Sequence, residues 1–108
     1  MKKIDMVYLY DLYAPLLNDR QRDILDLYYN EDQSLAEISE NVGITRQGVR
    51  DCIVKAEALL TGYEEALGLR KKLLDIEKKL DGVTRKAANC GFNTEIIEEI
   101  NEIKDSLF

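Results

Sequence analysis

The sequence predicts an all-α protein, and three observations indicate this class. The chain has a single proline, Pro15, among 108 residues. Strict two-residue alternation of apolar and polar side chains, which is typical of strands, is absent. Apolar residues recur instead at spacings of three and four. We therefore predict a helical bundle, then a long helix, then an antiparallel C-terminal helical hairpin.

The first two helices are marked by a proline and by a cap. We predict a first helix from about Lys3 to Tyr13, ended by Pro15. Its expected apolar side consists of Ile4, Tyr8, Leu9, Leu12 and Leu16. A second helix begins at Asn18, because Gln21 completes a capping box three residues later.

A short third helix leads into a sharp corner. Ser34 and Glu37 form a second capping box, and the helix is expected to stop at Gly43. Thr45 then caps a long helix. Whether that helix breaks at Gly62 or at Gly68 stays open. We expect a connector over 82–93, followed by a final helix from Thr94 to Leu107.

The corner has the pattern of a helix-turn-helix. A first apolar stripe precedes Gly43, and a second follows it; their residues are Leu35, Ile38 and Val42, then Val49, Cys52 and Ile53. A glycine accepts the positive φ that such a corner requires. We predict a helix-turn-helix domain over 1–61 and a helical dimerisation segment over 62–108.

Polar side chains remain on the outward face of the second helix of this motif. They are Thr45, Arg46, Gln47, Arg50 and Lys55. Such side chains contact phosphates and base edges, and a helix N-terminus adds a phosphate site. We therefore predict that these five residues bind nucleic acid. The alternative is a capped helix in a bundle whose charges are simply solvated.

Composition excludes several other functions. The chain has no histidine, so a Ser–His or Cys–His nucleophile is excluded. Cys52 and Cys90 do not form a CxxC pair, and no run approaches 18 apolar residues. We predict a cytoplasmic protein that is not an enzyme, with no cofactor, metal, membrane or small-molecule substrate. The net charge of −6 argues against indiscriminate coating of nucleic acid.

One long stretch resembles a known family. The segment "LLNDRQRDILDLYYNEDQSLAEISENVGITRQGVRDCI" is similar to the YlxM family of small bacterial proteins, most strongly in "LYYNEDQSLAEI" and "TRQGVRD". The resemblance covers roughly residues 5–80. It implies a fold similar to DNA-binding region 4 of sigma-70-type factors and an accessory or regulatory role in the signal recognition particle pathway. The chain departs from the family's usual alanine and tyrosine at Gly48 and Arg50.

The C-terminal third has two apolar seams. The first consists of Leu69, Leu73, Ile76, Leu80 and Val83, and the second of Ile96, Ile100, Ile103 and Leu107. Spacings of four and three are typical of coiled-coil packing. We predict an antiparallel pair, within one chain or exchanged between two, and a homodimer that covers the remaining apolar side chains.

Charges flank the two seams with opposite sign. Residues 70–86 have seven basic and three acidic side chains, whereas 87–108 have one basic and five acidic. We expect Lys79 near Glu99 and Glu77 near Lys104. The basic run "LRKKLLDIEKKL" is either an RNA-binding patch or this neutralising flank, and the acidic helix beside it favours the flank.

Two functions follow from the sequence. The first is a nucleic-acid-binding regulatory or accessory protein, with DNA or structured RNA as its partner. The second is a protein-interaction module on the same scaffold, which docks on a signal recognition particle component and binds no nucleic acid.

Overall fold

The computed structural model describes residues 4–91 and 94–108 and confirms the all-α class. Its six α-helices are α1 (Ile4–Tyr13), α2 (Asp19–Tyr29), α3 (Leu35–Val42), α4 (Arg46–Leu67), α5 (Leu69–Asn89) and α6 (Thr94–Asp105). A short 3-10 turn at Ala14–Leu16 contains Pro15. No strand occurs in the described ranges, and Lys3, the predicted start of the first helix, lies outside them.

The chain divides into two compact units between Gly68 and Leu69. We call described residues 4–68 the helix-turn-helix unit and described residues 69–108 the hairpin unit. The division lies seven residues beyond the sequence-based boundary after residue 61, which falls inside α4. Because α4 continues through Gly62 and ends at Gly68, its last turn belongs to the first unit.

Capping boxes define the starts of α2 and α3, as the sequence predicts. The Asn18 side chain accepts from the Gln21 backbone N–H at 2.8 Å, and the Gln21 side chain accepts from the Asn18 N–H. Ser34 and Glu37 exchange the same pair of bonds. Each box satisfies two backbone donors that the first helical turn would otherwise leave without partners.

The core of the helix-turn-helix unit is formed by α1, α2, α3 and α4 together. Its fully covered residues are Ile24, Leu25, Ile38, Val49, Ala56 and Leu60, with Tyr13 and Leu17 almost as deeply buried. The expected apolar side of α1 is partly wrong, because Tyr8 and Leu16 are largely exposed. Leu9 is buried and Leu12 packs against the core, as predicted, while Met6 and Tyr10 face the core in place of Tyr8 and Leu16.

Tyrosine hydroxyls at the edge of this core bind acceptors on other segments. Tyr13 donates to a carboxylate oxygen of Glu64 at 2.7 Å, and Tyr29 donates to Glu57. Burial and the Glu57 carboxylate raise the pKa of Tyr29. These bonds let the rings pack in the core while their polar ends are satisfied, so the rings are not available as a base-stacking surface.

The predicted connector over 82–93 is wrong for most of its length, because α5 runs unbroken to Asn89. Ala87 is buried, and alanine is the best helix former. The Thr84 hydroxyl donates to the Leu80 carbonyl at 2.9 Å, so it adds no break. The turn begins only at Cys90 and Gly91, and residues 92–93 lie outside the described ranges.

α5 and α6 form an antiparallel hairpin within the single chain. Lys104 near the end of α6 pairs with Asp81 in the middle of α5 at 2.9 Å. Arg70 at the start of α5 lies over the ring of Phe108, with 5.4 Å to the ring centroid. Asp81 raises the pKa of Lys104 by hydrogen bonding and by its charge, and Glu77 adds a smaller effect.

The ion pairs differ from the predicted flank pairs. Lys104 forms its ion pair with Asp81, one helical turn beyond Glu77, although the Glu77 carboxylate lies near Lys104 as expected. Lys79 pairs with Asp75 on its own helix at 3.2 Å, in the favourable i,i+4 arrangement, and not with Glu99 as expected. Lys79 and Glu99 do not meet because their positions around α5 and α6 place both side chains on the outer margins of the hairpin, away from the contact between its helices.

No helix in the described part of the chain is long and apolar enough to cross a membrane.

Two glycine substitutions should change stability in opposite directions. Gly43 has φ +78°, so Gly43→Ala should lower the free energy of unfolding by about 1–2 kcal/mol. Gly62 lies inside α4, and a methyl group there would meet nothing within 4 Å. Gly62→Ala should therefore raise stability by about 0.5–1 kcal/mol. Urea unfolding followed by circular dichroism measures both changes. If Gly43→Ala stabilised the protein as much as Gly62→Ala, the left-handed corner assigned to Gly43 would be contradicted.

Candidate nucleic-acid interface

The corner between α3 and α4 is closed by glycine and serine. Gly43 adopts left-handed backbone angles of φ 78° and ψ 30°, and its N–H donates to the Ser39 carbonyl at 2.9 Å. The Ser39 hydroxyl donates to the carbonyl of Ile44, just beyond the corner. Ile44 itself packs against the core. The chain therefore leaves α3 in one fixed direction.

Thr45 starts α4 immediately after the corner. Its side-chain oxygen accepts from the Gly48 backbone N–H at 3.0 Å, which caps the helix. A methyl group on residue 48 would lie 3.2 Å from that oxygen and 3.5 Å from the Ile44 side chain. Gly48 thus leaves room for the threonine cap.

The five predicted site residues all lie on the exposed side of α4. Its buried side consists of Val49, Ile53, Ala56 and Leu60. Thr45, Arg46, Gln47, Arg50 and Lys55 are all exposed. Arg46 and Arg50 are four residues apart and therefore share one face. Their function in binding stays a prediction, while their accessibility is now established.

Gln47 has a partner along its own helix. Its side-chain amide donates to an Asp51 carboxylate oxygen at 2.8 Å. Contact with a nucleobase would have to replace or share this bond. Arg46 and Arg50 are therefore the stronger candidates for reading base edges in this first part of α4.

The structure adds a cation that the sequence analysis missed. The start of α2 and the middle of α4 together line an open surface depression. Its lining residues are Asn18, Arg20, Gln21, Arg50, Asp51, Cys52, Val54 and Lys55. Arg20 thus joins Arg50 and Lys55 on one surface. The capping box at Asn18 could have located the start of α2, but only packing against α4 brings Arg20 to this surface.

The thiol of Cys52 lies close to two of these cations, Arg20 and Lys55. Burial raises the pKa of its thiol, and the positive charges of Arg20 and Lys55 act in the opposite direction. The two cations, 35 positions apart in sequence, therefore act on the same sulfur atom. Cys52 packs against the core, as the sequence predicts. Within the described residues, no group of three or more metal-binding side chains occurs.

Comparison with known proteins agrees with this geometry. The family described as "Putative helix-turn-helix protein, YlxM / p13 like" (UPF0122) matches residues 1–105. The chain belongs to the UPF0122 family. The match covers both structural units, so the resemblance found in the sequence over roughly residues 5–80 extends further than predicted.

Curated UPF0122 proteins from several bacteria are similar to this chain. A protein of Desulforamulus reducens is 40% identical, with 92% of each chain covered. One from Geobacillus kaustophilus is 39% identical, over 94% of this chain and 96% of its own. A third, from Thermoanaerobacter sp. strain X514, is 49% identical over 74% of this chain and 68% of its own.

The two thiols should react at very different rates. Cys90 is exposed, whereas Cys52 is half-buried and its thiol pKa is raised. Because the thiolate is the reactive form, Cys52 should be modified more slowly at neutral pH. Labelling with iodoacetamide, followed by peptide mass spectrometry, measures each site. Faster labelling of Cys52 would contradict its half-buried packing against the core.

Proposed function

We propose that this protein binds DNA or structured RNA through the exposed beginning of α4 and acts as a regulatory or accessory protein rather than an enzyme. The observation that supports this most is the fixed corner at Gly43, after which Thr45, Arg46 and Arg50 are exposed to solvent. A helix held in this way can enter a major groove about 12 Å wide.

The distribution of charge supports the same surface. The chain has a net charge of −6, yet Arg20, Arg50 and Lys55 line one depression, and Arg46 lies one turn before Arg50. Local positive charge can bind phosphates while the acidic remainder limits non-specific binding. Arginine also has the geometry for bidentate hydrogen bonds to guanine. Thr45 and the first N–H groups of α4 are suited to a phosphate.

A second candidate function is docking on a protein. Asp51 lies within the same depression and accepts a hydrogen bond from Gln47, so the surface is of mixed charge. Mixed charge suits a protein partner with a complementary pattern. A cytoplasmic component of the signal recognition particle pathway would be one such partner. That pathway is suggested by the family resemblance alone.

Removal of the two arginines should separate these functions. Arg46→Ala with Arg50→Ala should weaken binding to duplex DNA or structured RNA by about 1–3 kcal/mol for each arginine that reads a base. Arg20→Ala should weaken binding to all sequences by a similar factor. It should also reduce the magnitude of the slope of log K against log salt by about one, the change expected from the loss of one phosphate contact. Electrophoretic shift or fluorescence anisotropy across a salt series measures these effects.

Arg85→Ala is a suitable control, because it removes the same charge from exposed surface in the hairpin unit. It should leave the affinity nearly unchanged. If the intact protein binds no duplex and no structured RNA at low salt, nucleic-acid binding is refuted and protein docking is favoured. An equal loss in the Arg85 variant would show that binding depends on overall charge and not on α4.

A further inference from the structure

The hairpin unit leaves a continuous apolar face in solvent. Leu73 and Leu80 of α5 and Ile100 of α6 are half-buried in the contact between the helices. Beside them lies a second set of large side chains, each between 39% and 53% exposed: Leu69, Ile76 and Val83 on α5, and Ile96 and Ile103 on α6. We call this set the hairpin face. Monomers rarely expose large contiguous patches of this kind.

The five residues lie on the same side of the hairpin. Each follows a half-buried residue by three positions or precedes one by four, as Ile76 follows Leu73 and Ile103 follows Ile100. Either spacing displaces a side chain by about 40–60° in the same rotational sense. Because α5 and α6 are antiparallel, the same rotation on each helix leads to the same face of the pair.

The two margins of this face have opposite charge. Along the outer margin of α5 are Lys72, Lys79 and Lys86, at intervals of seven residues. Along the outer margin of α6 are Glu95, Glu99 and Glu102. All six side chains are exposed. Across the hairpin face the order is therefore a basic row, two apolar rows and an acidic row.

The chain does not bring these two charged rows together. They lie on opposite margins, with the full width of two helices between them. Lys79 pairs within α5, with Asp75, and the ion pair between the helices joins Asp81 and Lys104. A surface with an apolar centre, a basic margin and an acidic margin is complementary to a copy of itself that is rotated by a half-turn.

We propose that the hairpin face is the interface of a homodimer in which α5 of each subunit packs on α6 of the other. The two-fold axis would run parallel to the helices, between the two layers. Rotation about this axis keeps each residue at its own height along the bundle, and the Lys104–Asp81 pair fixes the relative heights of α5 and α6. Lys86 and Lys79 then lie nearest to Glu99 and Glu102 of the second copy, twice, as an isologous interface requires, while Lys72 lies beyond the end of α6. The other two-fold arrangement, with α5 on α5, would oppose lysine to lysine and glutamate to glutamate.

The resulting assembly is a four-helix bundle in which every neighbouring pair of helices is antiparallel. Its core would consist of the hairpin face from both copies. The charged rows select the orientation, and the apolar rows supply the contact area. This proposal is independent of nucleic-acid binding by α4, since it concerns only residues of the hairpin unit.

Oligomeric state tests the proposal first. Sedimentation equilibrium across about 1–500 µM should show conversion from 12.4 kDa to twice that mass. Ile76→Glu with Ile103→Glu should leave a folded monomer over the same range, because both positions are exposed within the chain. The matched control is Leu74→Glu, which changes a comparably exposed leucine on the opposite side of α5 and should leave the dimer intact.

Charge reversal tests the orientation. Changing Lys79 and Lys86 to Glu should raise the dissociation constant by at least about tenfold, as should changing Glu99 and Glu102 to Lys. Mixing the two variants should restore a dimer with one chain of each, because opposite rows then meet again. Circular dichroism checks that each variant stays helical.

A monomeric wild-type chain throughout the concentration range would overturn the proposal. So would a dimer that Ile76→Glu and Ile103→Glu leave intact. A dimer that is sensitive to those changes but indifferent to both charge reversals would refute the proposed packing of α5 on α6.

Discussion

The positive φ of Gly43 is the constraint on which the helix-turn-helix unit depends. The Gly43 N–H donates to the Ser39 carbonyl as the last helical bond of α3, and the positive φ then redirects the chain so that Thr45 caps the next helix two residues later. The tightness of the corner decides which side of α4 is buried. Val49 and Ile53 enter the core, so Arg46 and Arg50 must face solvent. The accessible cations are thus a consequence of backbone geometry at one residue.

A different constraint governs the hairpin unit. Two helices share only a narrow strip of contact, and here that strip is occupied by half-buried side chains such as Leu73, Leu80 and Ile100. An apolar stripe wider than the strip must remain partly exposed. The hairpin unit therefore completes its secondary structure within one chain while leaving its apolar surface incompletely covered. The margin of that surface on α5 is basic and the margin on α6 is acidic, so its two sides are not equivalent.

Much of the helix-turn-helix unit could be predicted from the sequence, because its signals are local. Capping boxes at Asn18 and Ser34, the corner at Gly43 and the cap at Thr45 each depend on residues three or four positions apart. Gly68 could not be chosen over Gly62 from sequence, since both are compatible with helix ends. The structure gives Gly68 a left-handed conformation and continues α4 through Gly62.

The features that could not be predicted from the sequence depend on tertiary packing. Arg20 reaches the α4 surface only because α2 packs against α4, and no spacing in the sequence records that contact. The segment near Ala87 has weak apolar periodicity, yet Ala87 is buried and α5 stays helical to Asn89. The predicted pairing of Lys79 with Glu99 is wrong because the apolar spacing along a helix does not specify which flank of the apolar stripe faces the other helix. Lys79 pairs with Asp75 instead.

The most direct test of the central claim is a map of backbone amide shifts by nuclear magnetic resonance during titration with fragmented duplex DNA. If the corner presents α4 to nucleic acid, the largest changes should lie at residues 45–55 and near Arg20, and the core at Ile38 should change little. Changes confined to the hairpin unit, or none at saturating DNA and low salt, would contradict the account.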